Sequence, residues 1–153
     1  MKFLKVFLAL FCVATLTQCN KTPDLKFTSI NYIDGNEIKS VEIGEGKKTV
    51  IHFYASWCGD CRREMPDANN VLYNAPDDVR IYYLTDDSSE KKEAMEKKYS
   101  IPFPTYNLEG SINDVGVVYL PLTYFIDENG QQVLAQAEQI DWHSNEIKTF
   151  LGY

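Results

Sequence analysis

The sequence has few of the residues that build metal centres or frameworks of disulfides. Its 153 residues include four cysteines and two histidines, and two of those cysteines fall within the first 19 residues. A structural zinc site takes four ligands, usually from Cys and His. Only His52 and His143 are available to join the remaining pair, Cys58 and Cys61. Because no second Cys-x-x-Cys motif is present to complete such a site, we expect no metal site. If Cys58 and Cys61 form a working pair, no cysteines remain for a structural disulfide.

The sequence also has fewer basic than acidic residues. The chain has 15 Lys and Arg against 22 Asp and Glu, which gives a net charge of −7. Nucleic acids and anionic membrane surfaces attract positively charged proteins, so this balance argues against both as partners. The sequence contains neither internal repeats nor low-complexity segments nor an internal linker. Its length therefore predicts one domain.

A long apolar run occurs at the N-terminus. Met1–Lys5 is basic, and Val6–Leu16 is apolar but too short to span a bilayer. This pattern is typical of a secretory signal peptide. We predict a lipoprotein-type signal peptide over residues 1–18, a polar tether over residues 19–24, and an exported domain over residues 25–153. Export into an oxidising compartment makes a pair of cysteines chemically meaningful.

The segment Leu16-Thr17-Gln18-Cys19 resembles the lipobox of bacterial lipoproteins, in which the cysteine is lipidated and becomes the first residue of the mature chain. Gln18 departs from the small residue that usually precedes that cysteine. The resemblance implies a lipid anchor at Cys19 on the periplasmic side of a bacterial membrane. The alternative is ordinary signal cleavage nearby, which leaves Cys19 free or removes it.

The stretch Trp57–Cys61, which reads Trp-Cys-Gly-Asp-Cys, is the most informative part of the chain. It follows an apolar run, Thr49–Tyr54, that predicts a buried strand, and it precedes a predicted helix over Arg62–Tyr73. The N-terminus of a helix carries partial positive charge. That charge stabilises a thiolate on Cys58, which is the form that attacks a disulfide. The pattern predicts reversible dithiol–disulfide chemistry, with Cys58 as the nucleophile and Cys61 as the resolving thiol.

The remaining patterns predict an α/β fold with a mixed sheet, in the order β-β-β-α-β-α-β-β-α. Asp34-Gly35 indicates the turn of a leading hairpin, Pro66 is expected to kink the first helix, and the passage around Pro104 is expected to be loop. The further strands are predicted over Leu25–Ile30, Ile38–Ile43, Arg80–Thr85, Thr123–Asp127 and Gln132–Ala137, and the further helices from Asp86–Ser89 to about Tyr99 and over Ile140–Leu151.

Over roughly residues 25–151 these features resemble the thioredoxin superfamily and, more closely, the membrane-anchored TlpA/ResA-like thiol–disulfide reductases. Pro66 follows Cys58 by eight residues, where thioredoxins have a proline in their first helix. Leu120–Asp127 is similar to the segment that carries the family's cis-proline. The leading hairpin and Tyr99–Pro104 resemble the TlpA-like additions. The resemblance implies a thioredoxin-like fold, with a central mixed β-sheet flanked by helices and an added N-terminal β-hairpin.

The resemblance also implies roles around the cysteines. Pro121 is expected in cis across the disulfide, with the Leu120 backbone free to pair with an incoming peptide. Trp57 is expected to shield the sulfurs and to form part of the substrate surface, and the alternative is simple core packing. Arg62 and Arg63 either add positive potential near the thiolate or are solvated surface residues.

Two sites are candidates for moving the Cys61 proton. His52 lies six residues before Cys58, where thioredoxin has a buried acid, and its imidazole would exchange the proton through water. The alternative for His52 is a core histidine bonded to the backbone. Asp86 or Asp87 would play this part as an acidic residue does in related reductases, although helix capping is the competing role.

The dipeptide between the cysteines, Gly59-Asp60, departs from the Gly-Pro of many thioredoxins. The charge of Asp60 lies close to both sulfurs and opposes thiolate formation. We therefore expect the pKa of Cys58 to lie toward the top of the range of roughly 3.5–7.5 found for activated cysteines.

The sequence thus predicts an exported, lipid-anchored thiol–disulfide oxidoreductase that reduces disulfides of extracytoplasmic proteins. Such an enzyme needs no cofactor, because the cysteines hold the electrons. A membrane electron-donor thiol protein is implied, which returns the cysteines to their reduced form. One alternative is a disulfide-introducing oxidase of the same fold. The other is a non-catalytic anchored module that binds peptides and uses the cysteine pair as a clip.

Overall fold

The computed structural model describes residues 24–27 and 29–153. The predicted signal peptide, the predicted lipid anchor at Cys19 and most of the predicted tether therefore lie outside the described residues, and they stay predictions. Within the described ranges, no helix has the length and apolar character needed to cross a membrane.

Strands and helices alternate through most of the described chain. The strands are β1 (Asn31–Asp34), β2 (Glu37–Ser40), β3 (Thr49–Phe53), β4 (Arg80–Thr85), β5 (Thr105–Leu108), β6 (Leu122–Ile126) and β7 (Gln132–Ala137). The helices are α1 (Gly59–Tyr73), α2 (Ser89–Tyr99) and α3 (Asn145–Leu151), together with a short 3₁₀ helix at Ile112–Val115.

The strands form one mixed sheet in the order β2-β1-β5-β4-β3-β6-β7. Strands β3, β4 and β5 are parallel, whereas β1, β2, β6 and β7 pair antiparallel to their neighbours. The connections β3–α1–β4 and β4–α2–β5 step in the same direction across the sheet. Because such connections are right-handed, α1 and α2 cover the same face. All five residues of β3 are buried, as its apolar run predicts for an interior strand.

The core has one layer on each face of the sheet. On the helical face, strand residues such as Val50 and Phe125 pack against α1, α2 and α3. On the other face, the chain before β1 and the 3₁₀ helix cover the sheet. Phe27 lies edge-on to Phe53 and Tyr124 there, at centroid distances of 6.3 and 5.7 Å.

The first described residues attach to the sheet next to β7. The Leu25 N–H donates a 2.6 Å hydrogen bond to Oε1 of Gln132, the first residue of β7. Gln132 pairs with Ile126, at the end of β6 remote from Pro121, whereas Ala137 pairs with Leu122 beside Pro121. The chain therefore joins the domain at the end of these strands that is far from Pro121.

Several sequence predictions are confirmed in detail. Strands β4 and β7 have the predicted bounds, and β1 and β2 form the leading hairpin around Gly35. Pro66 lies inside α1. That helix begins at Gly59, three residues before the predicted start, because Cys58 provides the N-cap.

Other boundaries are wrong. The strand expected over Leu25–Ile30 is absent from the described part of that range, because the alternating Leu25 and Phe27 side chains pack onto the face of the sheet without joining a strand. The second strand ends at Ser40 and not at Ile43. Helix α3 begins after the N-cap Ser144 and not at Ile140, although Ile140 is buried.

The predicted order also lacked one strand. Strand β5 follows Pro104 directly and is only four residues long, so the prolines around it indicated a loop. It nevertheless joins the leading hairpin to the parallel strands, because it pairs with both β1 and β4.

Phe125 provides a test of the helical-face core. It is fully buried, and its ring lies 5.3 Å from that of Phe150 and 6.2 Å from that of Trp142. We expect Phe125→Ala to lower the free energy of unfolding by about 3–5 kcal/mol, measured by urea denaturation, because it leaves a cavity. Val133→Ala on β7, where the side chain is 54% exposed, is the control and should change it by less than about 0.5 kcal/mol. Equal losses would contradict this packing.

Candidate active site

Cys58 and Cys61 lie at the N-terminus of α1 and are joined by a disulfide, with Cα atoms 5.3 Å apart. Cys58 is the N-cap residue. Its backbone is extended (φ −73°, ψ 114°), and its Sγ accepts a 3.0 Å hydrogen bond from the Cys61 N–H. The first N–H groups of a helix have no partner within the helix. The Cys58 sulfur therefore occupies the position at which a helix end stabilises negative charge.

The two cysteines differ in their access to solvent. Cys61 is fully buried and Cys58 is 5% exposed. Both cysteines are therefore buried, and Cys58 has the greater access of the two. Trp57 is 68% exposed, so simple core packing is the wrong interpretation for it.

A network of hydrogen bonds fixes the loop before Cys58. The Ser56 N–H and hydroxyl donate to the two carboxylate oxygens of Asp87, at 2.5 and 2.9 Å, and Arg62 Nη1 donates to the Ser56 carbonyl at 3.0 Å. The Asn107 side chain donates to the Asp87 carbonyl at 2.5 Å. Residues from β5, from α1 and from the loop after β4 thus hold the backbone that leads into the cysteine pair. Arg62, although exposed on α1, therefore holds this loop and is more than a solvated surface residue.

Asp86 binds a different part of the chain from Asp87. Its Oδ2 accepts hydrogen bonds from the Ile112 N–H at 3.1 Å and the Ser111 hydroxyl at 3.4 Å, so it helps to cap the 3₁₀ helix. Helix α2 is capped by Ser88. The expectation that Asp86 or Asp87 caps α2 is therefore wrong, because Ser88, from the same predicted stretch, supplies that N-cap. A proton-transfer role for Asp86 or Asp87 stays a prediction.

The residues between the cysteines form the first turn of α1. Asp60 makes an ion pair with Arg63, one helical turn away. The Arg63 charge therefore offsets part of the Asp60 charge near the sulfurs. Gly59 has no positive φ, and a Cβ placed there would meet Arg63 Nη1 at an ordinary 3.6 Å. Sterics therefore do not require glycine at this position.

The Leu120–Pro121 peptide bond is cis, which confirms the prediction. The Pro121 carbonyl accepts a 2.9 Å hydrogen bond from the Glu138 N–H, so the end of β7 holds this turn. Leu120 is half-buried and packs against the core cluster that contains both cysteines. The cis-proline segment and the disulfide therefore border the same surface.

His52 lies in the core beneath α1. It is fully buried, and its Nδ1 is 2.8 Å from Thr123 Oγ1, so its partner is a side chain and not the backbone. The rings of Tyr83 and Trp142 surround it. Burial lowers the pKa of His52 to about 3, so the imidazole is neutral at physiological pH. Its role in moving the Cys61 proton stays a prediction.

Glu64 is a candidate residue that the sequence analysis missed. It follows Cys61 by three residues, so the two share a face of α1. Its side chain is 9% exposed, with one oxygen 3.9 Å from His52 Nε2 and the other accepting a 3.3 Å hydrogen bond from the Ile140 N–H. Burial raises the pKa of Glu64 to about 8, so it is largely protonated at pH 7. Its position between Cys61 and Met65, on the buried face of α1, was the available signal.

Two cavities beside the cysteines form one groove, which we call the side groove. The larger, of about 660 Å³, is lined by Asp60, Tyr119, Leu120, Ala137, Glu138 and Gln139. The smaller, of about 190 Å³, is lined by Asp60, Arg63, Glu64, Glu138, Gln139 and Ile140. Because three lining residues are shared, the groove is continuous. It runs from the residue before Pro121 to the Glu64 side chain.

A disulfide that caps a helix after an interior strand, with a cis-proline on the same surface, defines a thioredoxin-like domain. The model of the AhpC/TSA family matches residues 19–133, so the chain belongs to that family. Its relatives confirm the predicted resemblance to the TlpA/ResA-like members of the thioredoxin superfamily.

Three individual proteins illustrate this similarity. The chain is 30% identical over 115 residues to the thioredoxin-like protein YneN of Bacillus subtilis, covering 72% of this chain and 65% of YneN. It is 30% identical over 104 residues to the thiol-disulfide oxidoreductase ResA of Bacillus thuringiensis, covering 63% of this chain and 60% of ResA. The chain thus spans less than two thirds of either protein. The exposed lipoprotein thioredoxin Etrx1 of Streptococcus pneumoniae has a TM-score of 0.60 at 20% identity, over 80% of this chain and 97% of that one.

The pairing of Asp60 with Arg63 gives a prediction for the reduced protein. Asp60→Asn should lower the pKa of Cys58, and Arg63→Gln should raise it by leaving the Asp60 charge uncompensated, each by about half a unit to one unit. The double variant should return close to the wild-type value. The measurement is the rate of thiol alkylation against pH. A Cys58 pKa that is unmoved or raised in Asp60→Asn would show that this carboxylate does not act on the sulfur.

The buried Glu64 gives a prediction for stability against pH. Its pKa is about 8 in the folded protein and about 4.3 in an unfolded chain. Between these values the folded state holds a proton that the unfolded state releases, so stability falls as pH rises. Glu64→Gln removes this titration. The free energy of unfolding of Glu64→Gln minus that of the wild type, measured with urea on the oxidised proteins, should therefore increase by about 2 kcal/mol or more from pH 5 to pH 8.

The control for that experiment is Glu90→Gln, a change of the same kind at an exposed position in the first turn of α2. It should show no widening difference from wild type between pH 5 and pH 8. If Glu64→Gln and wild type stay parallel over this range, Glu64 is not buried as a neutral acid.

Proposed function

We propose that this protein is an exported thiol–disulfide oxidoreductase that reduces disulfides of extracytoplasmic proteins through Cys58 and Cys61. The observation that carries the proposal is the Cys58 sulfur, which caps α1 by accepting the Cys61 N–H and belongs to the more exposed of the two cysteines. The ResA relative is a thiol-disulfide oxidoreductase, which supports the same chemistry.

The reaction begins with the reduced pair. The Cys58 thiolate attacks one sulfur of a client disulfide, forming a mixed disulfide, and the other client sulfur leaves as a thiolate that takes up a proton. Cys61 then loses its proton and attacks the Cys58 sulfur. The second client sulfur leaves and is protonated in turn. The client gains two electrons and two protons, and Cys58 and Cys61 end as a disulfide.

The buried Cys61 thiol needs a base for the second step, and Glu64 is the candidate acceptor. It lies on the same face of α1 and opens into the side groove, through which a proton reaches solvent. A group with a pKa of about 8 both accepts and returns a proton near neutral pH. His52 faces the Glu64 carboxyl from below and acts as its neutral partner.

The surface around the sulfurs binds the client backbone. The backbone of Leu120, before the cis-Pro121, pairs with the extended client chain, and the exposed Trp57 covers it beside the sulfurs. The lipoprotein description of the pneumococcal Etrx1 supports an anchor at Cys19. A membrane electron-donor thiol protein then returns the pair to its reduced form.

The oxidase alternative uses the same geometry, and the reduction potential of the pair separates the two. A value near or below about −220 mV supports the reductase, and a value near about −120 mV supports the oxidase. The peptide-binding alternative requires no turnover and is separated by the activity test below.

The test is reduction of insulin disulfides by the purified full-length protein with dithiothreitol as the electron source. Cys58→Ser should abolish the acceleration, because it removes the nucleophile. Cys61→Ser should instead accumulate a mixed disulfide with insulin, visible on a non-reducing gel, because resolution fails. Activity that survives in Cys58→Ser, or that is absent from the wild type, would contradict the enzymatic proposal.

A further inference from the structure

Strand β2 forms one edge of the sheet, and all four of its residues are exposed. An edge strand presents unpaired N–H and C=O groups to which another strand can add. The opposite edge, β7, contains a bulge, because Phe125 pairs with Leu134 and Ile126 with Gln132, which leaves Val133 over. Bulges of this kind blunt an edge against further pairing. Strand β2 has a continuous register and no proline, so it is the edge that is open to a further strand.

The hydrogen bonds of the leading hairpin show which groups of β2 point outward. The Val41 N–H donates a 2.8 Å hydrogen bond to the Ile30 carbonyl just beyond the two strands. Hydrogen-bonded pairs alternate with non-bonded pairs along an antiparallel ladder, so Tyr32 with Lys39 is the next bonded pair. The N–H and C=O groups of Ile38 therefore point away from β1, toward the free edge.

An apolar pair lies on the helical face of this hairpin. Ile38 is directly opposite Ile33, and the two side chains are 60% and 42% exposed. Tyr32, the neighbour of Ile33, points to the other face and is buried in the layer there. The exposed pair thus ends in an open row of apolar side chains at the edge of the sheet.

Charged residues of opposite sign flank Ile38 on the other face. Lys39 Nζ lies 2.6 Å from an Asp34 oxygen and 3.8 Å from a Glu37 oxygen. A second β2 strand that runs antiparallel to the first, with its Ile38 opposite this one, places Glu37 opposite Lys39 of the partner subunit. The twofold symmetry repeats that contact on the other side of the axis. Opposite charges directly across two strands stabilise the pairing, most of all in the closely spaced non-bonded pairs.

We propose that the β2 edge binds the β2 edge of a second copy of this chain, which makes a twofold dimer with one sheet running through both subunits. The Ile38 N–H of each subunit donates to the Ile38 carbonyl of the other. Ile33 and Ile38 then continue into the same two residues of the partner, so the apolar row is covered from the side. This inference goes beyond the proposed function and does not depend on the chemistry of the cysteines.

The twist of the sheet makes this dimer compatible with the proposed anchor. The twofold axis is perpendicular to the sheet at β2. Adjacent strands rotate by roughly 20–25°, so the five steps from β2 to β6 turn the strand direction by about 100–125°. Strand β6 therefore runs approximately along the axis, and the two subunits have their chain-entry ends on the same side. Both copies can thus be fastened to one membrane.

The test is sedimentation equilibrium of the full-length protein in detergent, with a reductant present so that no intermolecular disulfide contributes. A four-residue edge strand gives a small interface, so we expect a reversible dimer that appears between about 10 and 500 μM. Ile38→Pro removes an outward N–H and leaves the bonds between β1 and β2 in place. It should raise the dissociation constant at least about tenfold, because it acts twice across the axis.

A charge exchange tests the register without using proline. Glu37→Lys and Lys39→Glu should each raise the dissociation constant about tenfold, because like charges then face each other. The double variant restores opposite charges across the axis and should return within about threefold of the wild type. Glu128→Lys makes the same change of charge in the exposed turn between β6 and β7, and it is the control that should not weaken the dimer.

Three results would overturn the inference. They are a monomer at every concentration, a dimer that both Ile38→Pro and the single charge variants leave unchanged, and a double charge variant that associates no better than the single variants. Insulin reduction is measured separately on the same preparations. A monomer that reduces insulin would overturn the dimer alone, and a dimer that does not reduce insulin would overturn the proposed function alone.

Discussion

The hydrogen bond from the Cys61 N–H to the Cys58 sulfur connects the fold of this protein to its chemistry. Helix N-caps are usually Ser, Thr, Asp or Asn, whose oxygens accept an unpaired N–H group. In this protein the Cys58 sulfur accepts the N–H group, so the hydrogen bond that caps α1 is also one that stabilises a thiolate. The cap depends on the placement of the loop before it, which Asp87 holds through both donors of Ser56. Strands β3 and β4 therefore contribute to the reactivity of the cysteine.

The layer beneath α1 is less favourable for stability than an apolar core would be. Glu64 and His52 are both buried, and their ionisable groups face each other at 3.9 Å. Burial disfavours the charged form of each, so the resting pair is a neutral acid beside a neutral imidazole. A protein that only needed a stable core would place apolar side chains at these positions. The proposed transfer of the Cys61 proton gives a reason for two such groups next to this cysteine at a cost in stability.

Local sequence patterns predicted the features that depend on nearby residues. The bounds of β4 and β7, the turn of the leading hairpin and the cysteine pair have strong local signals, whereas the cis bond before Pro121 was expected from the family resemblance. The features that were missed depend on contacts between distant segments. Strand β5 exists because β1 and β4 pair with it, not because its four residues favour a strand. Asp86 and Asp87 are adjacent in sequence, yet one binds the 3₁₀ helix and the other binds Ser56, and only the assembled sheet decides which.

The hydrogen bond between Leu25 and Gln132 marks the place where the described chain joins the domain. It ties the start of the described chain to the end of β7 that lies far from Pro121, so the polypeptide enters at one pole and the sulfurs lie at the other. If the N-terminal side of the chain is fastened to a surface, that surface faces the entry pole. The end of the domain that carries the sulfurs then points away from that surface, at a distance set by the length of the strands. Large folded partners would meet it without having to pass between the domain and the surface.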